Sequence, residues 1–239
     1  MKRTFIFIIA LTMCVTAVFA KDYKVAIFQL PVSDSFVNMF KALEEVTGNT
    51  FTTEVVPPAR GIYLIQNNQT DVMFPATKST DPKKNGAQIY DYSGAKVYQM
   101  IFVLYYNKGK PISVQDLTAG NKKGYKVETT ASLANLFEFA PVLTTAIDAS
   151  LKRVDSASID GLIYPQDSAD PILKTLGLKN IARALYSAND ITFGLPKGQA
   201  GGELDKILAD GVAKLKANGK LNKVLEASLA ASVYNNWQP

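Results

Sequence analysis

Residues 52–80, TTEVVPPARGIYLIQNNQTDVMFPATKST, constrain the fold more than any other stretch of this chain. Residues 52–56 are short and β-branched, and Pro57-Pro58 stops them. Residues 59–66 set Ala59, Ile62, Tyr63 and Gln66 on one helical face, which predicts a helix. Asn67-Asn68-Gln69-Thr70 ends it, because such side chains compete for backbone hydrogen bonds. Residues 71–74 read as a second apolar strand. A strand–helix–strand succession implies a parallel sheet with a right-handed crossover. The polar loop 76–80 then leaves the carboxyl end of a buried strand, where open α/β sheets bind ligands. It is expected to form one wall of a cleft.

The same alternation runs along the chain. Residues 24–30 (KVAIFQL) are a buried strand, and Phe36, Met39, Phe40, Leu43 and Val46 repeat at helical spacing before Gly48. Residues 97–106 (VYQMIFVLYY) read as a long buried strand leaving a first lobe for a second, with Gly94-Ala95 as the hinge. At ten residues they are too short to span a bilayer as a helix. Residues 125–129 predict a strand, with a helix capped by Thr129 or Thr130 and carrying Leu133, Leu136 and Phe137. Strands at 149–154 and 160–164, a helix at 170–176 and strands at 180–185 and 191–195 follow, then an amphipathic helix at 203–217. A chain that leaves one lobe, completes another and returns makes two crossings and leaves a cleft between them.

Composition narrows the chemistry. Lys2-Arg3 followed by the apolar run 5–19 reads as a signal peptide cleaved after Ala20. The only cysteine, Cys14, lies inside it, and the chain has no histidine. The remaining protein therefore has no thiol, no disulfide and no Ser-His-Asp triad. The formal charge of +5 falls to +3 without the signal, and the lysines are dispersed rather than set in a basic stripe, which argues against nucleic acid.

Taken in order, KVAIFQL, PPARGIYLIQNNQTDVMF, STDPKK, DYSGAKVYQMIFVLYYNKG, KVETTASL, ASIDGLI, FGLPKG and ELDKILADGVAKLKANGKLNKVLE resemble the extracellular solute-binding proteins of family 3 over nearly the whole chain. The resemblance implies the α/β, two-lobed type II periplasmic binding fold, each lobe a mainly parallel sheet flanked by helices. It implies lobe 1 from residues 21–95 and 191–239, lobe 2 from 96–190, and a 1–20 signal peptide. It also implies a monomeric, non-enzymatic periplasmic receptor that closes over a small polar, anionic or amino-acid-like solute and delivers it to an inner-membrane ABC permease, with no cofactor and no metal. A carboxylate-dependent dehydratase or hydrolase, and a ligand-sensing adaptor for a signalling partner, are the alternatives on the same scaffold.

Thr80-Asp81-Pro82-Lys83 stands where that family carries Thr-x-x-Arg, so Lys83 would anchor a ligand carboxylate as a point charge rather than a fork. Asp167, after Tyr164, would face an α-ammonium. The other candidates are Gln29 and Phe36 near the first strand, Arg60 at the second helix, Phe74, Thr77, Lys78 and Ser79 at the third strand, Tyr98 after the hinge, and Thr129, Thr130 and Ser132 at a helix start suited to an anion.

Overall fold

The computed structural model describes residues 20–30, 32–79, 89–230 and 232–239. Residues 1–19 of the expected signal peptide and Lys83 lie outside them. The chain runs β1 (Asp22–Phe28), α1 (Ser33–Thr47), β2 (Thr50–Val56), α2 (Pro58–Gln66), β3 (Val72–Lys78), β4 (Asp91–Tyr92) and β5 (Tyr98–Asn107). It continues with α3 (Val114–Thr118), β6 (Val127–Thr129), β7 (Val142–Leu143), α4 (Ile147–Asp155), β8 (Gly161–Pro165), α5 (Gln166–Leu176) and β9 (Ile181–Leu195). Three helices close it, α6 (Glu203–Ala217), α7 (Lys220–Val224) and α8 (Glu226–Ala230).

Strand order is β2-β1-β3-β9-β5-β8-β6-β7, with β4 also on β9. β1, β2 and β3 are mutually parallel, and so are β6, β7 and β8. β5 and β9 run antiparallel and belong to both sets. The core divides accordingly. Ile27, Phe36, Phe40, Phe74, Tyr98, Phe193, Leu208 and Leu225 form one apolar cluster. Beyond the crossing, Val103, Tyr105, Leu151, Leu162 and Leu173 form a second, and Phe102, Leu104, Leu117, Val127 and Ile163 a third.

Four expectations are corrected. The segment 180–195, read as two strands around a polar return, is one strand of 15 residues. It bulges at Tyr186, since Phe102 pairs with Ser187 and Val103 with Leu185. The strand expected over 149–154 is helix α4, whose Leu151 and Val154 are buried. On α2 the buried residues are Gly61, Leu64 and Ile65, not the Ala59–Tyr63 face. Gly61 sets this, because a Cβ there would lie 2.6 Å from the Phe28 ring. Finally, no α-helix follows Thr130: residues 131–133 are a turn, and Ala134–Leu136 is a single 3-10 turn. Phe137 still reaches the core and packs edge-on against Phe102.

Leu229 packs on the first cluster, but Tyr234 and Trp237 pack on the second.

Candidate ligand-binding cleft

Register shows where the two parallel sets point. Thr77 near the end of β3 pairs with Ile191, and Ile191 pairs on its other side with Tyr98 at the start of β5. Pro165, the end of β8, pairs with Phe102, only four residues into β5. The carboxyl ends of β3 and β8 therefore approach the same crossing from opposite sides. Such ends, at the point where strand connections change direction, are where ligands of open α/β sheets sit.

The next register row across the crossing is Lys78–Asp190–Gln99. Gln99 Nε2 donates to Asp190 Oδ1 at 3.2 Å, and Lys96 Nζ pairs with Oδ1 at 2.7 Å. Burial works against the Asp190 charge, but hydrogen bonds from Lys96 and Gln99 and the positive charges of Lys96 and Lys78 outweigh it. Its carboxyl is held below the ordinary value. Two ammonium groups thus stand near one carboxylate at the β3 side of the crossing.

The β8 side of the crossing carries a carboxylate, Asp167. Thr130 Oγ1 lies 3.3 Å from Ser132 Oγ, and the Thr130 side chain lies close to the Tyr164 hydroxyl. Asp167, in the first turn of α5, lies near enough to Tyr164 and Tyr98 for its charge to raise both phenols, adding to the larger effect of their burial. Asp167 is open to solvent, yet desolvation is the main cause that pushes its own carboxyl up. Both are true of a group in a recess, reached by water but hemmed in by protein. Its hydrogen-bonding partner is the Ser168 hydroxyl at 2.9 Å, and among the described residues no cation pairs with it. The Tyr98 hydroxyl lies close to Ser228 of α8 as well as to Asp167.

The structure thus brings together Tyr98, Thr130, Ser132, Tyr164 and Asp167 around one end of the crossing, with Thr77, Lys78 and Ser79 at the end of β3. It removes three expected contacts. Phe36 and Phe74 are wholly buried and meet edge to face at 4.8 Å, inside the first core. Thr129 is wholly buried and donates to the Ile163 carbonyl at 2.9 Å. The anion-binding helix start proposed for residues 129–132 is also absent, because a turn with one 3-10 step aligns too few peptide dipoles. Arg60 is exposed on α2, its guanidinium 5.4 Å from the centre of the Tyr63 ring. Gln29 is exposed, and its amide closes onto the Val56 carbonyl at 2.8 Å.

Asp190 and Lys96 were missed. Asp190 sits in a polar run, YSAND, which reads as loop because nothing in a single sequence marks a strand whose polar side chains face a cleft. Gln166 was also passed over: it is buried, and its amide holds the Val233 carbonyl at 3.0 Å.

A separate cavity of about 340 Å³ lies at the amino ends of β1 and β3, near Lys21, Tyr23, Asp71 and Glu203. Its charged groups are already engaged: Lys21 pairs with Glu203 at 2.5 Å, and Asp71 accepts from the Lys24 amide at 2.8 Å. Among the described residues no group of carboxylates gathers as a metal site, and no helix is long and apolar enough to cross a membrane.

No protein-family model and no curated protein sequence matches the chain. Solved structures do. The GluR0 ligand-binding core of Nostoc punctiforme, in complex with L-glutamate, superposes with a TM-score of 0.60 at 14% identity, over 85% of this chain and 97% of that one. The fold is the two-lobed periplasmic binding fold. The likeness extends to ytmK of Bacillus subtilis, a probable amino-acid ABC transporter extracellular-binding protein (TM-score 0.61, 15% identity, 90% of this chain and 100% of that one). A histidine kinase sensor domain with similarity to periplasmic binding proteins matches as well, with a TM-score of 0.61 at 15% identity over 89% of this chain and 98% of that one. At such identities the periplasmic binding fold is what is shared.

Proposed function

We propose that this chain is an extracytoplasmic receptor that closes its lobes over a small zwitterionic solute of the α-amino-acid type. One observation carries the reading: Lys78 at the end of β3 and Asp167 at the start of α5 present opposite charges from opposite sides of the β5–β9 crossing. A ligand carboxylate would take Lys78, supported by Lys96, and its ammonium would take Asp167. Tyr98, Tyr164 and Thr130 would supply hydroxyls between them. Closure excludes water and strengthens each of these hydrogen bonds. Lys83 is a further cation for the same carboxylate. The solute class is that of the L-glutamate held by the GluR0 core.

We assign lobe 1 to residues 21–95 and 191–230 and lobe 2 to residues 96–190. In this reading the closed form delivers its solute to an ABC permease in the inner membrane, after export on the 1–20 signal. Likeness to a histidine kinase sensor domain favours one second reading, in which the closed form is presented to a signalling partner instead. Thermal-shift screening of residues 21–239 against the free amino acids tests the solute class. Stabilisation by at least one α-amino acid, and none by its decarboxylated amine, is expected. Co-purification with membrane proteins then separates a permease from a kinase.

A further inference from the structure

We propose that residues 232–239 form a third connection between the lobes, a strap that limits how far the cleft opens. The end of α8 belongs to lobe 1: Leu229 packs on the first apolar cluster, and Ser228 lies close to the hydroxyl of Tyr98, a member of that cluster at the start of β5. Five residues later Tyr234 packs on lobe 2, followed by Trp237. Five residues can reach about 17 Å when fully extended. The tail is therefore a short tether between two bodies that β5 and β9 also join.

Its lobe-2 anchor is Arg183 on β9. That side chain is fully buried, and its Nη2 pairs with Asp170 of α5 at 2.6 Å. Among the described residues its other terminal nitrogen bonds the tail alone: Nη1 donates to the Asn235 side-chain oxygen at 3.0 Å and to the carbonyls of Asn235 and Trp237. The backbone is stitched down as well. The Arg183 amide donates to Gln238 Oε1 at 2.9 Å, and the Gln238 side chain returns a bond to the Arg183 carbonyl at 3.1 Å. The guanidinium lies 5.5 Å from the Tyr234 ring centre and 5.2 Å from that of Trp237. A buried cation cannot be left without partners, so undocking the tail is costly while α5 stays in place.

The anchor adjoins the candidate cleft. Gln166, first residue of α5 and neighbour of Asp167, donates to the Val233 carbonyl at 3.0 Å and accepts from the Asn235 amide at 3.2 Å. Tension in the strap therefore bears on the helix turn that carries Asp167, and at its other end on Tyr98. Lobe separation is set by the span between Ser228 and Gln166 as well as by the β5–β9 hinge.

The test needs no solute, so its failure is distinguishable from failure of the solute reading. Residues 21–239 lack cysteine, which permits clean spin labelling at Lys41→Cys on lobe 1 and Lys122→Cys on lobe 2, both exposed. Inserting Gly-Ser-Gly-Ser between Ser232 and Val233 adds up to about 13 Å of reach without removing either anchor. Electron–electron distance measurements are expected to show a broader distribution, shifted to longer separation by several ångströms. Emission from Trp237, the chain's only tryptophan, stays at the wavelength of the parent because the dock is kept. If the insertion instead releases the tail, the emission shifts to the red and the distribution must widen still further. An unchanged or narrower distribution, with either emission, overturns the strap.

Discussion

Lys78 and Asp190 are register partners on β3 and β9, one row beyond the point where Thr77, Ile191 and Tyr98 line up across three strands. Asp190 is already engaged by Lys96 at 2.7 Å and Gln99 at 3.2 Å, and in the proposed reading the Lys78 ammonium takes the ligand carboxylate. A hydrogen bond to a charged group contributes about 1.5–3 kcal/mol. Lys78→Met is therefore expected to weaken solute binding by about 10- to 150-fold while leaving the unfolding midpoint within a degree or two. Calorimetric titration of the variant checks this, and equal affinity would remove Lys78 from the site.

The same row predicts a pH effect on stability. The Asp190 carboxyl is depressed in the folded protein, so its contribution is fully present above the unfolded value of about 4 and is lost as pH falls through the folded value. Acid unfolding of Asp190→Asn should lack that part of the loss below about pH 4. Urea midpoints measured between neutral and strongly acidic pH decide it. Parallel curves for parent and variant would show that Asp190 is not held by Lys96 and Gln99 in solution.

Arg183 and Asp170 make the second prediction about stability. Tyr105 also donates to Asp170, at 2.7 Å, so the carboxylate serves two buried groups. Removing one partner of a buried ion pair costs about 3–5 kcal/mol, because the other charge is left without compensation. Asp170→Ala should lose that much in urea unfolding, and Asp170→Asn less, since it can still accept from Tyr105. A loss below about 1 kcal/mol, the scale of an exposed pair, would contradict the buried assignment.

Phe36 and Phe74 separate core from cleft. Both are fully buried in one aromatic cluster with Phe40 and Phe193. Truncating a buried phenylalanine to alanine costs about 3–5 kcal/mol. Each Phe→Ala variant is expected to show that loss, with the affinity of its folded fraction unchanged. Lower affinity without lower stability would return either ring to the ligand.

The β-α-β frame was legible because buried parallel strands and amphipathic helices write their period into the chain. KVAIFQL, the Phe36–Met39–Phe40–Leu43 spacing and VYQMIFVLYY all fall on β1, α1 and β5. The misses share one cause. Where tertiary packing overrides local period, the sequence misleads: Gly61 turns α2 onto Phe28, and Phe137 and Leu136 reach the third core from a 3-10 turn instead of a helix. The polar end of β9 hides its strand character for the same reason, its neighbours β3 and β5 being about 90 to 110 residues away. Of the candidate site, Tyr164, Asp167, Thr130 and Lys78 could be named from the ends of strands. Asp190, Lys96 and the tail's grip on Arg183 could not, because each depends on a partner distant in sequence.

The central claim is that a zwitterion bridges the two lobes through Asp167. Its carboxyl is raised in the free protein, mainly by desolvation, and a bound ammonium would require it charged. Affinity should then fall on acidification from a higher pH than an ordinary aspartate would allow, and Asp167→Asn should abolish that dependence. The most direct measurement is titration calorimetry of residues 21–239 with free α-amino acids, near neutral pH and in mild acid, for the parent and Asp167→Asn. The account predicts one site per chain for at least one α-amino acid, weaker in acid, and weakened at least about tenfold by the substitution. No binding by any α-amino acid, or binding that Asp167→Asn leaves intact at both pH values, would contradict it.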